Sequence, residues 1–120
     1  MHHTEEQEQI ALMQWAKLQE NVYPELAMLF HIPNGGKRSK TEAMRLKAAG
    51  VKAGVPDLFL PVPRGNYHGL WVEMKIKPNK PTQNQLDWIF NLRERNYACE
   101  ICYSFLEASE AILRYLKNQT

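Results

Sequence analysis

Residues 54–76, GVPDLFLPVPRGNYHGLWVEMKI, predict a β-hairpin that closes around a Pro- and Gly-rich turn near Gly65. With the turn centred there, residues that face each other across the two strands have numbers adding up to about 130. Asp57 then lies opposite Glu73, and Lys75 projects from the same face as Glu73 because it is two residues further along. The hairpin therefore brings two carboxylates and one ammonium group to a single patch.

Spacing alone leaves two interpretations of this patch open. In the first, Lys75 is a structural ion-pair partner of the two carboxylates. In the second, a divalent cation relieves the repulsion between Asp57 and Glu73, since Mg²⁺ takes oxygen ligands and is held by one or two carboxylates together with water. Lys75 would then orient a water molecule or stabilise developing negative charge.

The composition predicts one soluble domain spanning residues 1–120, with 44% hydrophobic and 23% charged residues. No apolar run is long enough to span a membrane, and the acidic start MHHTEEQEQ lacks the order of a signal peptide. We therefore expect a cytoplasmic protein. Cys99 and Cys102 form a C-x-x-C within a strand-like segment, where residues three apart point to opposite faces, so we predict core residues rather than half of a zinc site.

Positive charge is concentrated in one stretch of a chain whose formal net charge is only +2. Six basic residues lie there against the single acid Glu42, and they are Lys37, Arg38, Lys40, Arg45, Lys47 and Lys52. Such a patch on a nearly neutral protein indicates a polyanionic partner. A solvated helix and loop would carry the same residues, and charge alone does not decide between the two.

Capping signals and periodicity predict the remaining elements. Thr4 begins a helix that runs to about Gln19, and Ser39 or Thr41 begins a second one. Thr82, with a glutamine three residues later, has the spacing of a capping box at the start of a third helix. With a strand in YACEICYSF and a closing helix in EASEAILRYLKN, the order is roughly αβαββαβα, which predicts a mixed α/β layer structure.

Several motifs along the chain carry a family resemblance. EQIALMQWA, IPNGGKRS, LKAAGVKAGVPDLFLPVPRGNYHGLWVEMK, TQNQLDW and ICYSFLEASEAILRYL resemble, in that order, the stand-alone phage and bacterial VRR-NUC domain of the PD-(D/E)XK nuclease superfamily. The resemblance implies a restriction-endonuclease-like core, in which helices flank a mixed central β-sheet.

The same resemblance implies a role for each charged residue of the hairpin. Asp57 and Glu73 would bind Mg²⁺ or Mn²⁺, the backbone carbonyl of Met74 would be an additional ligand, and Lys75 would polarise the attacking water. The family also supplies a glutamate from the first helix. Glu8 shares the inward face of Leu12, whereas Glu5 lies one turn earlier on that face, and we choose Glu8.

Further residues match the family outside the hairpin. Gln85 matches a glutamine that the family places before a tryptophan, although a capping role explains it equally well. Asn34, at the glycine turn, would contact phosphate, and the basic stretch would hold flanking phosphates without reading sequence.

The function that these expectations imply is metal-dependent, structure-selective cleavage of branched or duplex DNA. Stand-alone members of the family look like Holliday-junction resolvases that act as homodimers, and a two-fold symmetric junction suits a two-fold symmetric dimer. A flap or nicking nuclease with the same site is one alternative. A non-catalytic DNA-binding accessory domain is another.

Overall fold

The computed structural model describes residues 4–33 and 39–118 of the chain. Helices and strands alternate in the order predicted from the sequence, with one additional 3₁₀ helix at Pro24–Met28. The helices are α1 (Glu5–Gln19), α2 (Lys40–Ala48), α3 (Gln83–Glu94) and α4 (Phe105–Leu116). The strands are β1 (Phe30–His31), β2 (Leu58–Leu60), β3 (Leu70–Met74) and β4 (Ala98–Cys102). Within the described ranges, no helix is long and apolar enough to cross a membrane.

A four-stranded mixed sheet forms the centre of the fold, in the order β1-β2-β3-β4. β1 and β3 each run antiparallel to β2, whereas β4 runs parallel to β3 after the crossover through α3. Leu58 pairs with Val72 and Leu60 with Leu70, which is the register predicted from the central turn. The predicted α/β class, with a mixed sheet flanked by helices, is confirmed.

The larger apolar core lies between the sheet and the pair formed by α1 and α4. Alternate residues of β3 point into it, and α4 contributes a continuous apolar face that includes the fully buried Tyr115. The Tyr115 hydroxyl donates a 2.6 Å hydrogen bond to the backbone carbonyl of Val62, which satisfies the one polar atom of that side chain. This core holds the rear face of the hairpin in place.

The opposite face of the sheet is covered by α3, where Ile89 and Leu92 pack with Cys99. Cys102 belongs to the other core, so the two thiols lie on opposite faces of β4, as alternation along a strand predicts. Both cysteines are free and buried. Burial raises the pKa of the Cys99 thiol to about 11 and that of Cys102 to about 12, which keeps both sulfurs protonated and unreactive.

The predicted helix starts are confirmed by their caps. Thr4 and Thr82 each form a reciprocal capping box with a glutamine three residues later, and the Ser39 hydroxyl accepts a hydrogen bond from the backbone N–H of Glu42. None of the residues of α2 is buried, although all of them are described. The helix therefore presents its charges to solvent rather than to the core.

Gly54 fixes how the segment before β2 approaches the start of α3. Its φ of +93° lies in the region that glycine tolerates, and a Cβ atom there would lie 2.7 Å from the backbone carbonyl carbon of Asn84. This close approach sets the N-terminus of α3 beside the first residues of β2. The two segments that meet there carry Asp57 and Gln85.

Candidate active site

Asp57 directly precedes β2, and its side chain accepts a hydrogen bond that a backbone carbonyl would accept if β2 were longer. β2 starts at Leu58, so no residue of β2 pairs with Met74, and Asp57 Oδ2 accepts the Met74 N–H at 2.8 Å instead. The backbone carbonyl of Asp57 accepts a 2.7 Å hydrogen bond from the N–H of Ile32 on the other side. Bonds on both sides therefore fix the position of this carboxylate relative to β1 and β3.

Glu73 is almost entirely withdrawn from water, with 2% of its surface exposed. Its Oε2 accepts a hydrogen bond from Gln85 Nε2 at 3.1 Å and lies 3.5 Å from Lys75 Nζ. Its Oε1 is buried and has no hydrogen-bond partner among the described residues. A buried carboxylate oxygen without a partner is costly, and this position accommodates a ligand that supplies positive charge.

Gln85 combines the two roles that its sequence position suggested. Its Oε1 accepts the Thr82 N–H at 2.9 Å and closes the capping box, while its Nε2 donates to Glu73. The cap thereby orients the amide so that its donor side points at the carboxylate. Capping α3 and contacting Glu73 are consequences of one side-chain geometry.

Lys75 lies just beyond the end of β3 with only 8% of its surface exposed. Its backbone N–H donates to the carbonyl of Cys102 at 2.8 Å, which extends the pairing with β4 by one residue. An ammonium group with so little access to water interacts more strongly with neighbouring charges than a surface lysine does. The converging patch predicted from the hairpin therefore exists as a buried cluster of opposite charges.

Burial dominates the electrostatics of the two carboxyl groups. Desolvation, followed by the charge of Asp57, raises the pKa of Glu73 to about 8, against a smaller lowering effect of Lys75. The pKa of Asp57 is also raised by desolvation, although the hydrogen bond from Met74 opposes this. The pair therefore resists full ionisation unless further positive charge enters the site.

Comparison with known proteins shows the family to which the chain belongs. The family model of the VRR-NUC domain matches residues 3–106. The chain belongs to the VRR-NUC family. A solved structure described as "VRR_NUC domain protein" superposes with a TM-score of 0.84 at 31% identity, and the match covers 98% of this chain and 91% of that one. No curated protein matches. The chain is therefore a nuclease-type DNA-processing domain, as the motif resemblance implied.

Two glutamates of α1, Glu5 and Glu8, lie on the helix face predicted to supply a ligand. Glu5 contributes to raising the pKa of both Asp57 and Glu73, so its charge lies within electrostatic range of the pair. Glu8, the residue chosen from the sequence, accepts a 3.2 Å hydrogen bond from the N–H of Phe105 at the first turn of α4. That contact suits a carboxylate at a helix N-terminus. The assignment of Glu8 to the site stays a prediction, and Glu5 is the α1 glutamate whose charge acts on both carboxyl groups.

The residues available to a metal ion are few but of the right kind. Among residues 4–33 and 39–118, no three His, Cys, Asp or Glu side chains cluster as a ready-made metal site. Asp57 and Glu73 provide carboxylate oxygens, and the Met74 carbonyl points to the same side of β3 as the N–H that Asp57 accepts. Two carboxylates with a peptide carbonyl and water match the preference of Mg²⁺, so the donor set fits.

The basic residues predicted to contact DNA divide into two groups. Lys40, Arg45 and Lys47 lie on α2 and Lys52 lies in the segment that follows, and all four side chains are exposed. The remaining predicted contacts, Asn34, Lys37 and Arg38, fall outside the described residues. The basic helix thus belongs to the same β1–β2 connection that ends at Asp57.

Proposed function

We propose that this VRR-NUC domain is a divalent-metal-dependent endodeoxyribonuclease that hydrolyses phosphodiester bonds in branched DNA, including Holliday junctions, and acts as a homodimer. The observation that carries the proposal is the buried Glu73 carboxylate, which stands beside Asp57 and Lys75 and has one oxygen without a hydrogen-bond partner in the described part of the chain. A purely structural ion pair would leave neither an orphan oxygen nor a second carboxylate without its own cation.

The proposed ligands of Mg²⁺ or Mn²⁺ are Asp57, Glu73 and the backbone carbonyl of Met74. A glutamate of α1 completes the set, and we favour Glu5 over Glu8 because Glu5 acts on the pKa of both carboxyl groups. A bound divalent cation supplies positive charge that offsets charge developing on the phosphate and makes water more acidic.

The side chains of the chain itself have separate tasks in this mechanism. Lys75 orients the attacking water and donates to a phosphate oxygen, and its burial strengthens both interactions. Gln85 holds Glu73 through its Nε2, and the Met74 N–H holds Asp57, so the carboxylates keep their positions while charge moves. In-line attack of water breaks the P–O3′ bond and leaves a 5′-phosphate and a 3′-hydroxyl.

DNA contacts outside the site would come chiefly from the exposed cations of α2 and from Lys52. Such contacts bind phosphates and carry no sequence information, so selectivity would rest on the shape of the DNA. A four-way junction must be cut on two opposed strands, and a two-fold symmetric dimer presents two sites in that relation.

A cleavage assay on defined substrates tests the proposal. The purified protein is incubated with a four-way junction, a flap and a linear duplex in Mg²⁺, Mn²⁺ or EDTA, and the products are resolved by denaturing electrophoresis. We expect metal-dependent cleavage of the junction, loss of cleavage in Asp57→Asn and Lys75→Ala, and wild-type cleavage in the surface control Lys117→Ala. Cutting of the flap alone would favour the flap nuclease. Junction binding without cutting of any substrate would favour the accessory domain.

A further inference from the structure

A row of aromatic rings crosses the sheet on the face that α3 covers only in part. Phe30 of β1 pairs in register with Phe59 of β2, and Phe59 pairs with Trp71 of β3. The Phe30 and Phe59 rings meet edge to face with centroids 6.0 Å apart, and Phe59 stacks on Trp71 at 4.2 Å. Three neighbouring strands therefore each contribute one ring to a contiguous aromatic cluster, in which Phe59 and Trp71 are partly buried and Phe30 is exposed.

The row of rings continues beyond β3, and the backbone at Gly69 leaves room for it. Tyr97 lies edge to face with Phe59 at 6.0 Å, and His68 meets Tyr97 at 5.6 Å. At Gly69, a Cβ atom would lie 2.8 Å from Cε1 of Phe59, so the absence of a side chain there lets the Phe59 ring lie against the strand. We define the aromatic row as the set Phe30, Phe59, Trp71, Tyr97 and His68.

The aromatic row borders the candidate active site. Phe59 follows Asp57 by two residues and Trp71 precedes Glu73 by two residues, so the rings share the face of the carboxylates. Two residues along a strand span about 7 Å, so the row is the next layer of side chains after the site. Phe30 ends the row at the edge of the sheet with 47% of its surface exposed. A flexible polyanion bound at the carboxylates would have its adjacent unit close to these rings.

We propose that the aromatic row is a stacking site for an unpaired nucleobase next to the cleaved phosphate. Aromatic side chains accept any base, because every base has a π face. In a continuous duplex both faces of a base are covered by its neighbours, whereas a base at a branch point is free to leave the stack. The row would therefore favour branched DNA over linear duplex without reading sequence. This inference rests on the proposed function and names the DNA feature that the site recognises.

DNA is favoured over a protein partner because the row is continuous with the carboxylate pair. Asp57 directly precedes β2 and lies on the same face as Phe59, so a protein surface packed over the row would crowd the approach to the site. A second copy of this chain could also cover the aromatic row, and the oligomeric state of a Phe30 variant distinguishes this from DNA binding.

The test measures DNA binding without divalent metal, by fluorescence anisotropy, so that cleavage does not enter the result. The substrates are a splayed-arm duplex, the same DNA with an abasic residue at the branch-point position, and a linear duplex. Phe30→Ser should weaken binding to splayed-arm DNA by roughly tenfold and leave linear duplex unaffected. The abasic residue should remove the difference between Phe30→Ser and wild type, and Phe30→Trp should restore binding. Met28→Ser removes another exposed apolar side chain next to β1 and should behave as wild type.

Equal weakening on all three DNAs, or no weakening on splayed-arm DNA, would overturn the proposal. Conversion of a dimer to a monomer by Phe30→Ser in analytical ultracentrifugation would also overturn it and would assign the row to a second copy. A failure of the proposed nuclease function would give a distinct result. The wild-type protein would then cut no substrate in the presence of divalent metal, while its binding to splayed-arm DNA would still depend on Phe30.

Discussion

Glu73→Gln should stabilise the metal-free protein at neutral to alkaline pH and abolish DNA cleavage. The pKa of the Glu73 carboxyl is raised to about 8 from the value of 4.5 that it has in an unfolded chain, chiefly by desolvation. Between these two values the folded protein holds a proton that the unfolded chain has released, so stability falls as pH rises. Glutamine has nearly the same shape as glutamate and carries no charge. The stability of the Glu73→Gln variant therefore does not depend on this titration.

The size of the effect follows from the shift. At about 1.4 kcal/mol for each pKa unit, a rise from 4.5 to about 8 corresponds to a destabilisation of up to about 5 kcal/mol above pH 8. Domains have total stabilities of about 5–15 kcal/mol, so this is a large fraction. We expect the melting temperature of Glu73→Gln in EDTA to exceed that of wild type by up to about 20 °C near pH 8 and to approach it near pH 5.

The assay is thermal unfolding of both proteins in EDTA and in Mg²⁺ across this pH range. Mg²⁺ should recover much of the stability of wild type at about pH 8 and little of that of Glu73→Gln, since ligand binding stabilises only a protein that retains the site. Glu94→Gln, an exposed carboxylate of α3, is the matched control and should follow wild type throughout. A melting difference between wild type and Glu73→Gln that is the same at every pH would refute the electrostatic argument.

Three further predictions concern residues outside the Asp57–Glu73 pair. Gly54→Ala should destabilise the fold by about 2 kcal/mol or more in chemical denaturation, because its Cβ would meet Asn84 at a φ that alanine rarely adopts; an unchanged midpoint would contradict this. Replacing the three basic residues of α2 by glutamine should reduce the slope of log affinity against log salt by about 3 without changing the melting temperature, and an unchanged slope would remove α2 from the DNA interface. Glu5→Gln should lower cleavage at limiting Mg²⁺ more than Glu8→Gln does, whereas Glu8→Gln should lower the melting temperature more, because Glu8 bonds the start of α4; the reverse order would support Glu8 as the ligand.

Local sequence determines the hairpin and hence much of the candidate site. The turn near Gly65 sets the register, so the pairing of Leu58 with Val72 and the position of Asp57 opposite Glu73 follow from residues within one short segment. The position of Gln85 at the start of α3 could also be predicted from sequence, because a capping box is a local pattern. The aromatic row was not predicted. Its signal, a single aromatic residue in each of β1, β2 and β3, looks the same in sequence as part of an ordinary buried face.

Glu5 and Glu8 illustrate why part of the candidate site could not be predicted without the tertiary structure. Both residues lie on one face of α1, since they are three positions apart, and helical periodicity gives them equal access to the sheet. What separates them is where α4 begins, because the first turn of α4 offers a free N–H that Glu8 accepts. The position of α4 depends on the parallel pairing of β4 with β3, which joins segments separated by the whole of α3. No local pattern near Glu5 encodes that long-range pairing, so the sequence restricts the proposed α1 ligand to one helical face, and the contact of Glu8 with α4 becomes visible only in the tertiary structure.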